Sequence, residues 1–233
     1  MLRPDAGDIR AALLIVCCLV AFFGEPIFTS KVFSPAGLLF DYPPWNRHAP
    51  AGYARPNTGL MDRVNQHDRW RQFNRESLRH GELPLWNPWA FAGVPHLANY
   101  QSAPLYPPSL ATLPLPFETA QLLIAMFHLG IAGLFTWLFL RRSGVEPPGA
   151  LLGALAFMFS GALVLWLGSP GGYVIVWLPA LMYLTGRFIT EPGAGVWFGL
   201  YAAVSLQFLA GHPESSAYIL TMAWVFFAFR LVE

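Results

Sequence analysis

The chain has 233 residues, of which 55% are hydrophobic and only 12% are charged, with a mean hydropathy of +0.44. Soluble domains carry about 25% charged residues, so this composition argues against a water-soluble protein. The formal net charge of +1 provides no overall attraction to nucleic acid, and we expect no nucleic-acid partner. The length is therefore better divided into membrane spans of roughly 20 residues than into soluble domains.

The first apolar run follows Arg3 and Arg10 and resembles a signal peptide. Because further spans follow, we interpret it as an uncleaved first helix, although residues 21–24 are also compatible with cleavage. Cys17 and Cys18 lie inside this run, and we interpret them as small apolar helix residues. Six spans are predicted in total: 11–28, 118–140, 149–167, 173–189, 195–210 and 215–229.

Residues 29–117 contain no sustained apolar run and are rich in proline, tryptophan, arginine and asparagine. A loop of this length is expected to fold, so we predict a cap that contains short helices. Residues 59–80 lack proline and alternate in charge, which predicts one helix that ends before Gly81. Two placements of this basic, amphipathic helix stay open: it lies flat on the membrane surface, or it packs on the rest of the loop.

Basic residues at the ends of the predicted spans indicate the topology. If the spans alternate in direction, these residues all fall on one side, which the positive-inside rule makes cytoplasmic. The loop at 29–117 and the short turns at 168–172 and 211–214 then face outside. The basic residues concerned are Arg3, Arg10, Arg141, Arg142, Arg187 and Arg230.

The predicted fold class is an all-α polytopic membrane protein with about six transmembrane helices and a large extracytoplasmic first loop. The loop is expected to contain short amphipathic helices. The chain then divides into an N-terminal segment with the first helix (1–28), the extracytoplasmic loop (29–117) and the remaining transmembrane helices (118–233). The N-terminus is placed in the cytoplasm.

Two polar positions are candidates for chemistry, one in the loop about a dozen residues past the first span and one in the turn between the last two spans. Asp41 lies between apolar residues and a proline-rich aromatic stretch, where a carboxylate can accept a proton from an attacking hydroxyl. The alternative for Asp41 is a solvated turn acid. In the turn 211–214, His212 titrates near neutrality, and Glu214 can orient it or bind a ligand hydroxyl. The alternative is a polar turn in which Glu214 favours the start of the next helix.

Arginine is well shaped for phosphate, and the loop holds seven of them. Most are interpreted as a solvated helix face with acidic partners at Asp62, Asp68 and Glu76. Arg47 and Arg55 are closest in sequence to Asp41 and are the better candidates for binding the phosphate of a lipid. The seven are Arg47, Arg55, Arg63, Arg69, Arg71, Arg75 and Arg79.

Six scattered histidines form no His-x-x-x-His pair, and no glycine-rich phosphate loop occurs, so we expect neither a metal site nor a cofactor. The stretch from 81 to 108 is rich in proline, glycine and aromatic residues. Such a stretch forms a rigid loop with interfacial anchors, and its tryptophans also suit the faces of sugars. Both interpretations stay open for Trp86, Asn87 and Gln101.

Polar and aromatic motifs follow one another along most of the chain in a defined order. In sequence they are Asp41 after the first span, GELPLWNP at 81–88, GVP at 93–95, Gln101, Tyr106-Pro107 and GHPE at 211–214. Together they resemble the bacterial membrane protein family YfhO over nearly the whole chain. The Pro-Leu-Trp-Asn run is moderately specific, and the order of the motifs adds to the resemblance.

The YfhO family is similar to the GT-C glycosyltransferases, which use a polyprenyl-phosphate sugar donor at the outer face of the membrane. The resemblance implies that Asp41 is the catalytic acidic residue of the first outer loop. It also implies a bacterial cytoplasmic (inner) membrane location and contacts with membrane lipids. Family members are longer, so we expect a missing C-terminal half or a partner subunit. The motifs that carry the resemblance contain the substrate-binding candidates Trp86, Asn87, Gln101, His212 and Glu214, and Arg47 and Arg55 join them because they are close in sequence to Asp41.

The leading hypothesis is a membrane glycosyltransferase, or its N-terminal part, that transfers a sugar from a polyprenyl-phosphate donor to a cell-envelope acceptor. A second hypothesis is a transporter or flippase for a lipid-linked sugar. Such a path requires intramembrane charges, and Glu25 is nearly the only acid within a predicted span. A third hypothesis is an inactive, truncated membrane subunit.

Overall fold

The structure, a computed structural model, describes residues 6–232, so the predicted basic residue Arg3 lies outside the described residues. The described part is mostly helical, with one small antiparallel hairpin of strands β1 (Trp86–Asn87) and β2 (Val94–Pro95). The α-helices are α1 (Ala6–Phe22), α2 (Gly24–Phe28), α3 (Asp68–Arg79), α4 (Pro107–Ala111), α5 (Phe117–Arg142), α6 (Pro147–Met158), α7 (Gly161–Leu165), α8 (Pro170–Ile175), α9 (Leu178–Thr190), α10 (Ala194–Leu209) and α11 (Pro213–Val232).

Four helical segments are long and apolar enough to cross a membrane. Two of them are single helices, α5 and α11, and the other two each join consecutive helices, α6 with α7 and α8 with α9. Helix α10 is apolar but shorter, and α1 is an apolar helix of 17 residues. The prediction of an all-α membrane protein is therefore confirmed at this level. The four segments are Phe117–Arg142, Pro147–Leu165, Pro170–Thr190 and Pro213–Val232.

Helix α5 lies at the centre of the bundle and packs against α1, α6 and α9. Small residues make this packing close: a Cβ on Gly133 would lie 2.6 Å from the Sδ of Met158 and 3.3 Å from Ile15. Ala125 and Ala132 on the same helix are fully buried. Small side chains let membrane helices approach closely, because lipid supplies little hydrophobic drive for their association. The sequence of α5 thus suits a helix surrounded by other helices.

The predicted helix at 59–80 is confirmed, although its start is irregular. A 3₁₀ turn (Thr58–Leu60) and a π-helical stretch (Arg63–His67) precede α3, and the chain leaves the helix at Gly81, where φ is +77°. Of the two placements left open, packing is observed. His67 and Asn74 are buried against the rest of the protein. One face of this helix thereby packs on the rest of the loop, where Asn74 bonds to Ser102 and His96.

Several loop arginines bind backbone oxygens of the protein, whereas the sequence predicted that they form a solvated helix face. Arg75 donates hydrogen bonds to the backbone oxygens of Thr112 (3.1 Å), Leu113 and Leu115, and Arg79 donates to Leu113 and Leu115. The carbonyls that follow α4 lack partners within a helix, and a guanidinium can satisfy several of them because it has five donors in one plane. These arginines fasten α3 to the segment that leads into α5.

The ends of α1, α5 and α9 that carry basic residues meet at one end of the bundle. Arg142 and Arg187 both pair with Glu191, at 3.0 and 3.5 Å, and Arg141 lies 3.9 Å from Asp8. The hydrogen bond from Arg142 lowers the pKa of Glu191. The loop docks on the backbone of residues 167–168, which connects α7 and α8. The helices therefore gather Arg141, Arg142 and Arg187 at one end of the bundle, and the loop docks at the other end.

Candidate functional site

Asp41 forms an ion pair with Arg55. The Nε of Arg55 lies 2.7 Å from Oδ2 of Asp41, and the side chains of Arg55 and Asp41 are 61% and 15% exposed respectively. Asp41 is the last residue of a 3₁₀ helix (Ala36–Asp41). The chain folds back onto this helix, where the Tyr53 hydroxyl donates a hydrogen bond to the backbone oxygen of Gly37 at 2.8 Å. The hydrogen bond to Asp41 raises the pKa of Arg55. The carboxylate is thus held in a defined position by a residue that the sequence had grouped with it.

Arg63, Asp68, Arg71 and Gln121 form a buried polar cluster between the loop and the bundle, which we call the junction. Asp68 is at its centre: Arg71 donates to Oδ1 at 3.1 Å, the Gln121 amide donates to Oδ1 at 2.8 Å, and Arg63 lies 3.5 Å away. The two arginine side chains are 4% and 11% exposed. A buried charge requires such pairing, since burial without a partner is costly.

The same arginines bind backbone oxygens on both sides of the junction. Arg71 donates to Gly168 at 2.6 Å, and Arg63 donates to Phe33 at 2.8 Å. Gly168 has a φ of +88°, and a Cβ there would lie 2.7 Å from the Arg63 guanidinium. Burial lowers the pKa of Arg63, and the charge of Asp68 acts against that shift. The junction therefore joins the first connecting segment, α3 and the α7–α8 turn.

His67 lies beside the junction and is 8% exposed. Burial lowers its pKa to about 4, the nearby Arg71 charge adds to this effect, and the Gln101 side chain opposes it. The imidazole is therefore neutral near pH 7. Gln101 also lines a cavity of about 30 Å³ beneath α3, together with Arg71 and Tyr106. Such a cavity has room for about one water molecule.

The turn before α11 contacts the loop directly. Gly211 has a φ of +95°, and a Cβ there would lie 2.9 Å from the Tyr100 oxygen and 3.4 Å from the Cα of Gln101. The Nδ1 of His212 accepts a hydrogen bond from the Ser215 amide at 3.2 Å, which satisfies one free donor at the start of α11. Glu214 is exposed in the first turn of that helix. This arrangement has the features of the structural alternative for the turn.

Trp86 and Asn87 lie in strand β1 of the hairpin. The Trp86 indole covers Gly93, whose φ is +111° and whose Cβ would lie 2.6 Å from the indole Nε1. Asn87 is buried, and its Oδ1 accepts a hydrogen bond from the Trp89 amide at 2.9 Å. Phe91 has a left-handed backbone conformation, which is costly for a residue other than glycine. The contacts of Trp86 and Asn87 thus lie within the hairpin itself, and contact of either residue with a sugar stays a prediction.

The predicted site residues fall into separate groups at the loop end of the bundle. Arg55 is paired with Asp41, Trp86 and Asn87 share the hairpin, and Gln101 lies against the turn that holds His212 and Glu214; Arg47 is exposed. Within residues 6–232, no hydrogen bond or ion pair joins Asp41 to His212.

The junction was not predicted from the sequence as a cluster, although each of its arginines was noted. One signal could have found it: Arg63, His67 and Arg71 follow one another at intervals of four, so they share one helix face. The arginines were assigned to a solvated face because the sequence contains no information about the surface that covers them.

Comparisons with known proteins assign neither a family nor a function to this chain. No protein-family model, no curated protein and no solved structure matches this chain. In the described part of the chain, no group of three or more histidine, cysteine, aspartate or glutamate side chains is arranged to hold a metal ion. The function is therefore argued from the chain's own residues.

Proposed function

We propose that this chain is a membrane glycosyltransferase of the GT-C type, or the N-terminal part of one. It transfers a sugar from a polyprenyl-phosphate donor to a cell-envelope acceptor at the outer face of the bacterial cytoplasmic membrane. The observation that carries the proposal is the carboxylate of Asp41, which Arg55 holds at 2.7 Å on a loop that covers one end of an apolar helix bundle. The resemblance to the YfhO family supports the same assignment.

The proposed topology has six spans, with α1–α2 and α10 added to the four long segments. Helix α10 has 16 residues and spans about 24 Å at 1.5 Å per residue. This is short of a hydrocarbon core of about 30 Å, and local thinning of the bilayer accommodates the difference. The end that gathers Arg141, Arg142 and Arg187 is cytoplasmic by the positive-inside rule. The loop and Asp41 are then extracytoplasmic.

The reaction is a single displacement. The acceptor hydroxyl attacks the anomeric carbon of the sugar, its proton passes to the Asp41 carboxylate, and the bond from the anomeric carbon to the phosphate oxygen breaks. The departing polyprenyl phosphate carries the growing negative charge. Arg55 is 61% exposed and Arg47 is exposed, so both guanidinium groups are accessible to that phosphate. One carboxylate suffices for this route, which inverts the anomeric configuration.

Replacing Asp41 by Asn tests the proposal. The variant keeps the size of the side chain and removes the proton acceptor, so transfer from a labelled polyprenyl-phosphate sugar should fall by about a hundredfold or more. Membrane yield should not change. Asp62→Asn is the matched control, because Asp62 is an exposed acid of the same loop, and it should retain activity. Transfer by Asp41→Asn at the rate of the control would remove Asp41 from the mechanism.

A second candidate function is transport of a lipid-linked sugar, and buried polar side chains within the helices favour it. His128 in α5 and Gln207 in α10 are fully buried, and among residues 6–232 neither polar atom of the Gln207 amide has a hydrogen-bond partner. Polar groups at membrane depth often mark a substrate path. Reconstituted liposomes separate the two functions, since movement of the labelled lipid without product indicates transport. An inactive subunit would bind the lipid and neither move nor convert it.

A further inference from the structure

A cleft of about 520 Å³ lies between α3 and the β1–β2 hairpin, on the side of α3 that does not form the junction. We call it the aromatic cleft. From α3 and the turn before it come residues at helical spacing, including Asn65, Arg69, Phe73 and Glu76, and from the hairpin comes Trp89. Residues spaced by three and four lie on one face of a helix. One face of this helix thus attaches the cap, and the other lines a cleft.

The wall formed by the hairpin is held in place by hydrogen bonds and a ring contact. Asn87 fixes the backbone of Trp89 through the hydrogen bond to its amide. Behind the hairpin, the Nε2 of His96 shares a 2.8 Å hydrogen bond with Oδ1 of Asn74, and the His96 ring meets Phe73 edge-on at 4.7 Å. The hairpin is therefore fastened to α3 on the side away from the solvent. A fixed wall lowers the entropic cost of binding a ligand.

Aromatic side chains next to the cleft are exposed to solvent. The Trp89 side chain is 87% exposed and Phe91 is 97% exposed. Phe91 and Ala92 have positive φ angles of 49° and 65°. Non-glycine residues in this region are strained, and such strain is concentrated at ligand sites, where the surroundings maintain it. This costly turn directly follows Trp89 and Ala90, which line the cleft, so the fold maintains it next to an exposed aromatic ring at the cleft.

We infer that the aromatic cleft binds a glycan. Aromatic rings offer flat apolar faces that match the C–H faces of sugar rings. Side-chain amides, carboxylates and guanidinium groups donate to and accept from hydroxyls, and the cleft combines Trp70 and Trp89 with Asn65, Arg69 and Glu76. Its volume lies within the range of small-molecule sites. This polar lining fits a sugar better than lipid chains, which offer no partner for Asn65 or Glu76.

Glycan binding does not depend on the proposed transfer reaction. Within that reaction the bound glycan is the acceptor, and the cleft holds it at the loop end of the bundle, where Asp41 also lies. The acceptor class is then an oligosaccharide or polysaccharide of the envelope. The Asp41→Asn variant should still bind the glycan, because Asp41 is outside the cleft.

The test uses the whole chain in lipid nanodiscs and a panel of hexasaccharides of glucose, galactose, mannose and N-acetylglucosamine. Binding is followed by tryptophan fluorescence and by thermophoresis. At least one hexasaccharide should bind saturably below about 10 mM, and Trp89→Ala should weaken that binding by about tenfold. Asn65→Ala is a second cleft variant with the same expectation. Trp45→Ala is the matched control, because Trp45 is 49% exposed on the same loop and does not line the cleft.

Three outcomes would overturn the inference. One is the absence of saturable binding to every hexasaccharide, and another is equal binding by Trp89→Ala and Trp45→Ala. The third is quenching of Trp89 fluorescence by brominated lipids, identified by comparison with Trp89→Ala, because it would assign the aromatic rim to the membrane. Failure of the proposed transfer with retained glycan binding would refute the enzyme assignment and leave the cleft as a binding site.

Discussion

Replacing Asp68 by Asn removes the negative charge from the centre of the junction. Asp68 has an exposed side-chain fraction of 13%, and it faces Arg63 and Arg71, which are more buried still. Removing one partner of a buried ion pair costs about 3–5 kcal/mol, because the remaining charge stays buried without compensation. Asn keeps an oxygen that can still accept from Gln121, so we expect the lower end, about 3 kcal/mol.

The assay is thermal unfolding in lipid nanodiscs, read by the fluorescence of the loop tryptophans. A chain of this length loses about 2–4 °C of Tm per kcal/mol, so Asp68→Asn should lower Tm by about 6–12 °C. Limited proteolysis of the loop should become faster in the same variant, since the junction attaches the loop to the bundle. Asp62→Asn is the control on the same helical segment, and because Asp62 is exposed it should change stability by less than about 0.5 kcal/mol.

The outcome that would refute this reasoning is equal stability of the Asp68 and Asp62 variants. It would mean that water reaches the junction and screens the two arginines. A triple variant tests the same logic from the other direction: replacing Arg63, Asp68 and Arg71 together by apolar residues of similar volume removes every charge at once. Because no charge is then left unpaired, this triple variant should be more stable than Asp68→Asn.

Two further predictions concern positions beside the junction. The pKa of His67 is lowered from 6.5 to about 4 in the folded protein. As the pH drops from about 6.5 to about 4, the unfolded chain therefore binds a proton at this residue before the folded protein does, and the free energy of unfolding decreases. In His67→Gln the loss of stability over this window should be smaller, as measured by unfolding at several pH values; identical pH dependence would contradict the assignment. Gly168→Ala should destabilise by about 2 kcal/mol or more, because its φ is +88° and its Cβ would meet the Arg63 guanidinium at 2.7 Å. At Gly193 the backbone is extended and a Cβ would meet no other atom, so Gly193→Ala should leave the free energy of unfolding nearly unchanged. Equal effects of the two alanine substitutions would rule out the close contact at Gly168.

Much of the helical structure could be predicted from local patterns. Apolar runs of membrane length indicated α5 and α11, and they do so because lipid offers no partner for a backbone that is not helical. The helix at 59–80 was indicated by its lack of proline and by Gly81 at its end, and the observed φ of +77° at that glycine is the conformation that ends a helix. These features depend on neighbours in sequence, so the sequence contains them.

Long-range partners could not be predicted in the same way. The sequence placed Arg55 near Asp41 because they are 14 residues apart, and the two do pair. It assigned Arg71 to a solvated face, whereas this side chain donates to the oxygen of Gly168, 97 residues away. The aromatic cleft likewise combines Glu76 with Trp89, which the sequence treated as parts of different elements.

The sequence alone determined that this chain is helical and apolar enough for a membrane, and that a polar loop interrupts its spans, because composition and periodicity act over a few residues. Only the tertiary structure decided which face of α3 is buried. Both faces carry arginines, with Arg71 and Arg75 on the packed face and Arg69 on the face that lines the cleft, so the positions of the arginines do not distinguish the two faces. The choice follows from backbone oxygens that only packing brings within reach of the guanidinium groups, namely those of Leu113, Leu115, Leu167 and Gly168.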